Sequence, residues 1–130
     1  MGNRAVITAA PYSDDNIGIY VHWNGGQESI EGFIRAAKEL GFRDPLQDSY
    51  GWARLTQLIA NFFRDTLSIG VDVCRNLDTD NMDNGTWLLG PGWTIEGCLH
   101  GRLADSVDEE KAESVKSLAL RRQAAVEGVE

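Results

Sequence analysis

Residues 17–26, IGIYVHWNGG, hold a strand, a turn and the start of a helix in one run. β-branched and aromatic residues fill most of the first seven positions. Alternation sets Ile17, Ile19, Val21 and Trp23 on one face and Tyr20 and His22 on the other. The first set is apolar, so that face is expected to look into a core. Asn24-Gly25-Gly26 then ends the strand, because paired glycines free the backbone for a tight turn. From Gln27 the period becomes helical, with Ile30, Phe33, Ile34, Ala37 and Leu40 on one side.

Upstream, Arg4–Ala9 reads as a first strand, with Val6 and Thr8 facing one way and Ala5, Ile7 and Ala9 the other. Pro11–Asn16, PYSDDN, is rich in turn formers. The two strands are therefore expected to pair as an antiparallel hairpin. Downstream, Gly41 and Pro45 mark the end of the first helix. A second helix is expected over about Tyr50–Arg64, with Trp52, Leu55, Leu58, Ile59, Phe62 and Phe63 as a broad apolar face. Leu67–Val73 alternates as a third strand with Ile69, Val71 and Val73 on one face. Arg75–Gly85 is a polar loop dense in Asp and Asn.

Thr86–Leu89 and Trp93–Gly97 read as a hairpin across Gly90-Pro91-Gly92, where Pro then Gly suits a type II turn. Leu99–Asp105 is irregular, and Ser106 is placed to cap a last helix over roughly Val107–Val126. Asp108, Glu109 and Glu110 in its first turn and Arg121 and Arg122 near its end match the helix dipole. Its apolar stripe (Ala112, Val115, Leu118, Ala119, Val126) is thin, which predicts weak docking. The order is β-β-α-α-β-β-β-α. It implies an α+β fold: an antiparallel sheet of about five strands, two helices on one face, and a C-terminal helix. Residues 1–105 form the α+β body. Residues 106–130 form the last helix, in the same domain or loosely docked to it.

The chain of 130 residues is 42% hydrophobic and 25% charged, with a net charge of −8. That length suits one domain with its own core. No apolar run approaches the ~18 residues of a membrane span, and no signal segment precedes the first strand. A cytoplasmic protein is expected, with Cys74 and Cys98 reduced. The negative charge repels phosphate and argues against direct nucleic-acid binding. It suits a partner whose own surface is basic.

Few residues carry a chemical signal. His22, at a strand end beside a glycine-rich turn, is the one weak catalytic candidate, and it lacks a sequence-adjacent nucleophile or carboxylate. Gly25 and Gly26 before a helix could hold an anion on bare N–H groups, but Glu28 and Glu31 oppose it and no phosphate-loop motif is present. Asp78, Asp80 and Asp83 offer hard oxygens for a cation. Counted from Asp78 as an EF-hand, however, the sixth position is Asp83 rather than glycine and the twelfth is Leu89 rather than glutamate. A turn is the plainer reading, with no metal and no cofactor expected. Ser29, Ser49, Ser68, Cys74 and Cys98 stand in no nucleophile motif, and His100 beside Cys98 adds none. Trp87 and Trp93 flank the hairpin turn. They are either core residues or an exposed anchor pair beside the acidic loop.

The start of the chain resembles an uncharacterised family of small bacterial proteins carried by phages, prophages and plasmids. Met1, Gly2, Arg4, Ala5 and Ile7 match its first block, and Ile19, Tyr20, His22, Trp23 and Gly25 its second. Asn61-Phe62-Phe63, Leu67-Ser68-Ile69-Gly70 and Asp83-Asn84-Gly85 continue the likeness, which covers about residues 1–90. The resemblance implies a mobile-element accessory protein. Small acidic proteins of that provenance include inhibitors of host defence such as anti-CRISPR proteins.

The leading expectation is thus a non-enzymatic acidic binding protein that occupies the basic surface of a host or defence protein. Asp78, Asp80, Asp83, Trp87 and Trp93 are its expected contact surface, with Asp108, Glu109 and Glu110 second. Two alternatives stand beside it. One is a small enzyme or nucleotide binder centred on His22 and the Asn24–Gly26 turn. The other is a homo-oligomer formed through a sheet edge.

Overall fold

A computed structural model describes residues 2–64 and 66–128. Met1, which opens the family-like signature, and residues 129 and 130, which close the C-terminal segment, lie outside the described residues. The elements are β1 (Ala5–Ala9), β2 (Ile17–Val21), α1 (Gln27–Glu39), α2 (Ser49–Phe63), β3 (Ile69–Val73), β4 (Thr86–Gly90), β5 (Thr94–Leu99) and α3 (Glu109–Glu127). The fold is α+β, in the expected order. β1 and β2 pair antiparallel, with Ile7 opposite Ile19.

The sheet order is β3-β2-β1-β4-β5, and it is mixed rather than wholly antiparallel. β1 pairs with β4 in parallel, Ile7 opposite Trp87. The cause lies in the chain between β3 and β4. β3 lies antiparallel to β2 on one side, and β4 on the far side of β1 runs in the same direction as β3. The connection over residues 74–85 must therefore return across the sheet, as parallel connections do. It covers the sheet face opposite the helices. Cys74 and Leu77 press on Gly18, where an added Cβ would lie 3.1 Å from Cys74 Sγ and 2.9 Å from Leu77 Cδ1. Hence β1 is buried on both faces: Val6 and Thr8 are as inaccessible as Ala5 and Ile7.

On the helix side, Ile19, Val21, Ile30, Phe33, Leu55, Leu58 and Ile59 form the core with Trp87 and Leu89. Phe33, Phe62 and Phe63 meet edge to face, with Phe33 and Phe62 5.0 Å apart between ring centroids. The expected buried face of β2 is shorter than its alternation implied. Ile17 is 43% and Trp23 46% exposed. The strand stops at Val21, and the chain bends at residues 22 and 23, so Trp23 lies outside the strand's register. On β3, Val71 is likewise half exposed, because β3 is an edge strand. That edge is short and carries Asp72, a feature that discourages strand addition.

The last helix is not loosely held. Asp108, rather than Ser106, is its N-cap and accepts from the Lys111 N–H. Ala112 and Ala119 are fully buried. Gly32 on α1 lets α3 approach so closely that a Cβ there would sit 2.7 Å from the Val115 Cβ. Gln123 accepts from Asn61 Nδ2 at 2.8 Å. The thin apolar stripe suffices because small residues on both helices allow close contact, and ion pairs flank the seam. No described helix is long and apolar enough to cross a membrane.

Candidate functional site

The acidic loop is built around Asn81, which is 1% exposed. Its Oδ1 accepts from the N–H groups of Asp83, Asn84 and Gly85, and its Nδ2 donates to the carbonyls of Asp78 and Gly85. Thr86 Oγ1 donates to the Thr79 carbonyl and fastens the loop to β4. Asp83 accepts from Arg4 twice, from the backbone N–H at 3.0 Å and from Nε at 2.8 Å. Those two hydrogen bonds, the side chain's first, hold its carboxyl below the usual carboxylate range. Asp78 lies 3.9 Å from Arg4, and Asp80 lies 4.0 Å from His100. Asp78 and Asp83 therefore turn to Arg4, and Asp80 turns to His100. Among the described residues no group of three or more His, Cys, Asp or Glu is placed to hold a metal.

Trp87 and Trp93 are not a surface pair. They are 2% and 7% exposed. Trp87 points to the helix side with Leu89 and donates from Nε1 to the Gly25 carbonyl at 2.8 Å. Trp93, in a left-handed conformation at φ 61°, folds back so that Nε1 reaches the Phe42 carbonyl at 3.0 Å. Each indole is fixed by one hydrogen bond at its polar edge.

Gly25 is equally committed. Its N–H donates to the Asn3 carbonyl at 2.8 Å, and a Cβ on it would strike the backbone of Asn3 and Arg4. The glycine is there for backbone-to-backbone contact, and its N–H is not available to an anion. Gly26 is the N-cap of α1 without a side-chain cap, and Glu28 stands in the first turn.

His22 accepts or donates at Nδ1 with Tyr20 Oη, 2.8 Å away. Trp23 meets the ring edge-on at 5.0 Å. Its backbone takes Asn3 N–H on one side and gives to the Ser68 carbonyl on the other. The histidine–carboxylate pair among the described residues is that of His100, not of His22. Asp83 is on the same side of the sheet but is held by Arg4. The shared strand face of Tyr20 and His22 was legible in the alternation, whereas Arg4 and Asp83, 79 residues apart, were not legible as a pair. The thiols of Cys74 and Cys98 are both pushed up by burial, which keeps them protonated.

The charged end of the molecule lies elsewhere. The starts of α1 and α3 lie together: Gln27 and Ala104 exchange two hydrogen bonds, and the Asp108 N–H donates to Glu28. One guanidinium, Arg35, serves three carboxylates, those of Glu31, Glu109 and Glu113. Its hydrogen bond holds the carboxyls of Glu109 and Glu113 below their ordinary values. Asp105 and Glu110 are exposed, and among the described residues neither pairs with a cation. Of the expected acidic contacts, Asp108 and Glu109 thus have structural partners and Glu110 is free.

Beyond this end runs a groove between α3 and the turn Trp23–Gly26. Its larger part, about 560 Å³, is lined by Trp23, Phe62, Phe63, Arg64, Leu118 and Arg122 among others. Asn24 is shared with a neighbouring cleft of about 300 Å³ that also takes Gly26, Lys111 and Ser114. Neither is lined by His22. The sequence pointed only at the turn. Arg64 and Arg122 were missed because they belong to different helix ends, and the one available signal was arginine gathered at both ends in an acidic chain.

No protein-family model, curated protein or solved structure matches this chain, so the site is read from its geometry.

Proposed function

We propose that this is a non-enzymatic binding protein whose acidic end, where α1 and α3 begin, occupies a basic surface on another protein. The observation that carries the reading is the sharing of Arg35 among Glu31, Glu109 and Glu113, with Asp105 and Glu110 left free beside it. Carboxylates outnumber cations on a surface that two packed helices hold rigid. Such a patch steers a basic partner and adds little ordering cost on binding. The family resemblance of residues 1–90 supports a phage or mobile-element origin. With it comes the more specific reading of an inhibitor of a host defence protein in the cytoplasm, of the anti-CRISPR kind.

The enzyme reading centred on His22 is weaker, because its ring partner is a tyrosine hydroxyl and none of the clefts described is lined by it. Self-association through β3 is a third, lesser reading. The test is affinity capture from the bacterial host across a salt series. Retention of one basic protein, released as salt rises, supports the proposal. A salt-insensitive partner, or turnover of a small molecule that is abolished by His22→Ala, overturns it.

A further inference from the structure

The groove beside α3 gathers positive charge in a chain whose net charge is −8. Arg64 closes α2, and Arg121 and Arg122 lie near the end of α3. Among the described residues, no carboxylate pairs with any of them. Arg122 stacks its guanidinium on the Phe62 ring, 5.3 Å from the centroid, and donates to the Phe62 carbonyl. Its Nε–H is buried and, among the described residues, has no acceptor. An unmet buried donor is costly, more so on a charged group. Burial, then Arg64 and Arg121, lower the Arg122 pKa, as expected where like charges face one another without an anion.

One residue of the groove holds unusual backbone: Arg64 has φ 56° with ψ −111°, whereas Asn24 at φ 58° lies where asparagine is tolerated. Strain of this kind gathers at ligand sites and persists where the surroundings enforce it. Of the remaining lining, Trp23, Phe62 and Phe63 are aromatic, beside Leu118 and Thr66. Trp23 is 46% exposed at the rim, a large flat surface that the core does not use, and Phe63 lies half-buried beside it. Arginine suits a phosphate, and an exposed indole suits a flat ring. The groove is an open surface cleft of about 560 Å³.

We propose that this groove binds a free 5′-nucleotide, its base on Trp23 and its phosphate on Arg122 and Arg64, with Arg121 a nearby charge outside the lining. A nucleic-acid strand fits less well, because the molecule's overall negative charge repels a polyanion. The site is separate from the acidic end, so it stands whether or not that end binds a protein.

The test is titration of the intact chain with the four 5′-nucleoside monophosphates. The matching nucleosides, inorganic phosphate and a short single-stranded oligonucleotide serve as comparison arms. Calorimetry gives affinity, and tryptophan fluorescence reports on Trp23. Saturable binding of at least one nucleotide is expected, with its nucleoside and phosphate alone each on the order of tenfold weaker. Trp23→Ala is expected to weaken it on the order of tenfold, the range of one base stacked on an aromatic side chain. Because Arg122 also supports the end of α2, the paired variant Arg64→Gln with Arg121→Gln is the second probe. It is expected to lose binding while its thermal unfolding stays cooperative. No saturable nucleotide binding would overturn the proposal. So would binding unchanged in both variants, equal binding of phosphate alone, or tighter binding of the oligonucleotide.

Discussion

Arg4 and Asp83 are 79 residues apart in sequence, and Arg4 Nε lies 2.8 Å from Asp83 Oδ2. The pair fixes the loop before β4 to the start of β1, beside the parallel strand pairing that defines the sheet. The Asp83 carboxyl is held below its ordinary value by Arg4. Its contribution to stability is therefore complete above the usual carboxylate range and disappears as pH falls through the lowered folded-state value. Urea unfolding of the wild type between pH 7 and pH 3 is expected to show this loss. Asp83→Asn is expected to be less stable at pH 7 and to show a flatter acid limb. An unchanged pH profile in the variant would remove Arg4–Asp83 from the account.

Asn81→Ala tests whether the acidic loop is architecture. The substitution strips the acceptor from three backbone N–H groups, those of Asp83, Asn84 and Gly85. Of these the Gly85 N–H is buried, while Asn84 also donates to the Arg4 carbonyl, so the unmet Gly85 donor costs about 1–3 kcal/mol. Chemical denaturation should report that loss, and amide exchange should rise over residues 78–86. A variant as stable as the wild type would mean that the loop holds its shape by other means.

Docking of α3 is tested at Gly32. A methyl group there would stand 2.7 Å from both Cβ and Cγ1 of Val115, and alanine at 115 removes the second contact. Gly32→Ala is therefore expected to cost about 1–3 kcal/mol, as overpacking does. Val115→Ala should relieve part of that cost in the double variant, a coupling that a double-mutant cycle measures directly. Additive effects would mean that the two helices do not meet there.

Much of the architecture could be read from local pattern. Ile19 and Val21 alternate into the core, Phe33 and Ile34 follow the helical period, and the element order needed nothing else. What the pattern could not carry was long-range pairing. The parallel match of Ile7 with Trp87 joins segments that no local signal connects, so the sheet was expected to be antiparallel throughout. Trp23 kept the alternation of β2 but lies past the strand's last residue. Trp87 and Trp93 carry a polar edge that either a surface or a core can satisfy, and here the carbonyls of Gly25 and Phe42 satisfy it. The candidate site moved for the same reason. Asp78, Asp80 and Asp83 form a charged run in sequence, but folding brings Arg4 and His100 to them. Asp105 and Glu110 acquire no such partner among the described residues.

Binding of the captured partner to charge variants tests that difference between the two acidic regions. Asp105→Asn with Glu110→Gln removes the two free carboxylates without touching an N-cap or an ion pair. Asp78→Asn with Asp80→Asn removes the same charge from the loop. The first pair is expected to weaken binding and flatten its salt dependence, while the second leaves both nearly unchanged. Loss of binding in the loop pair with none in the helix pair would contradict it.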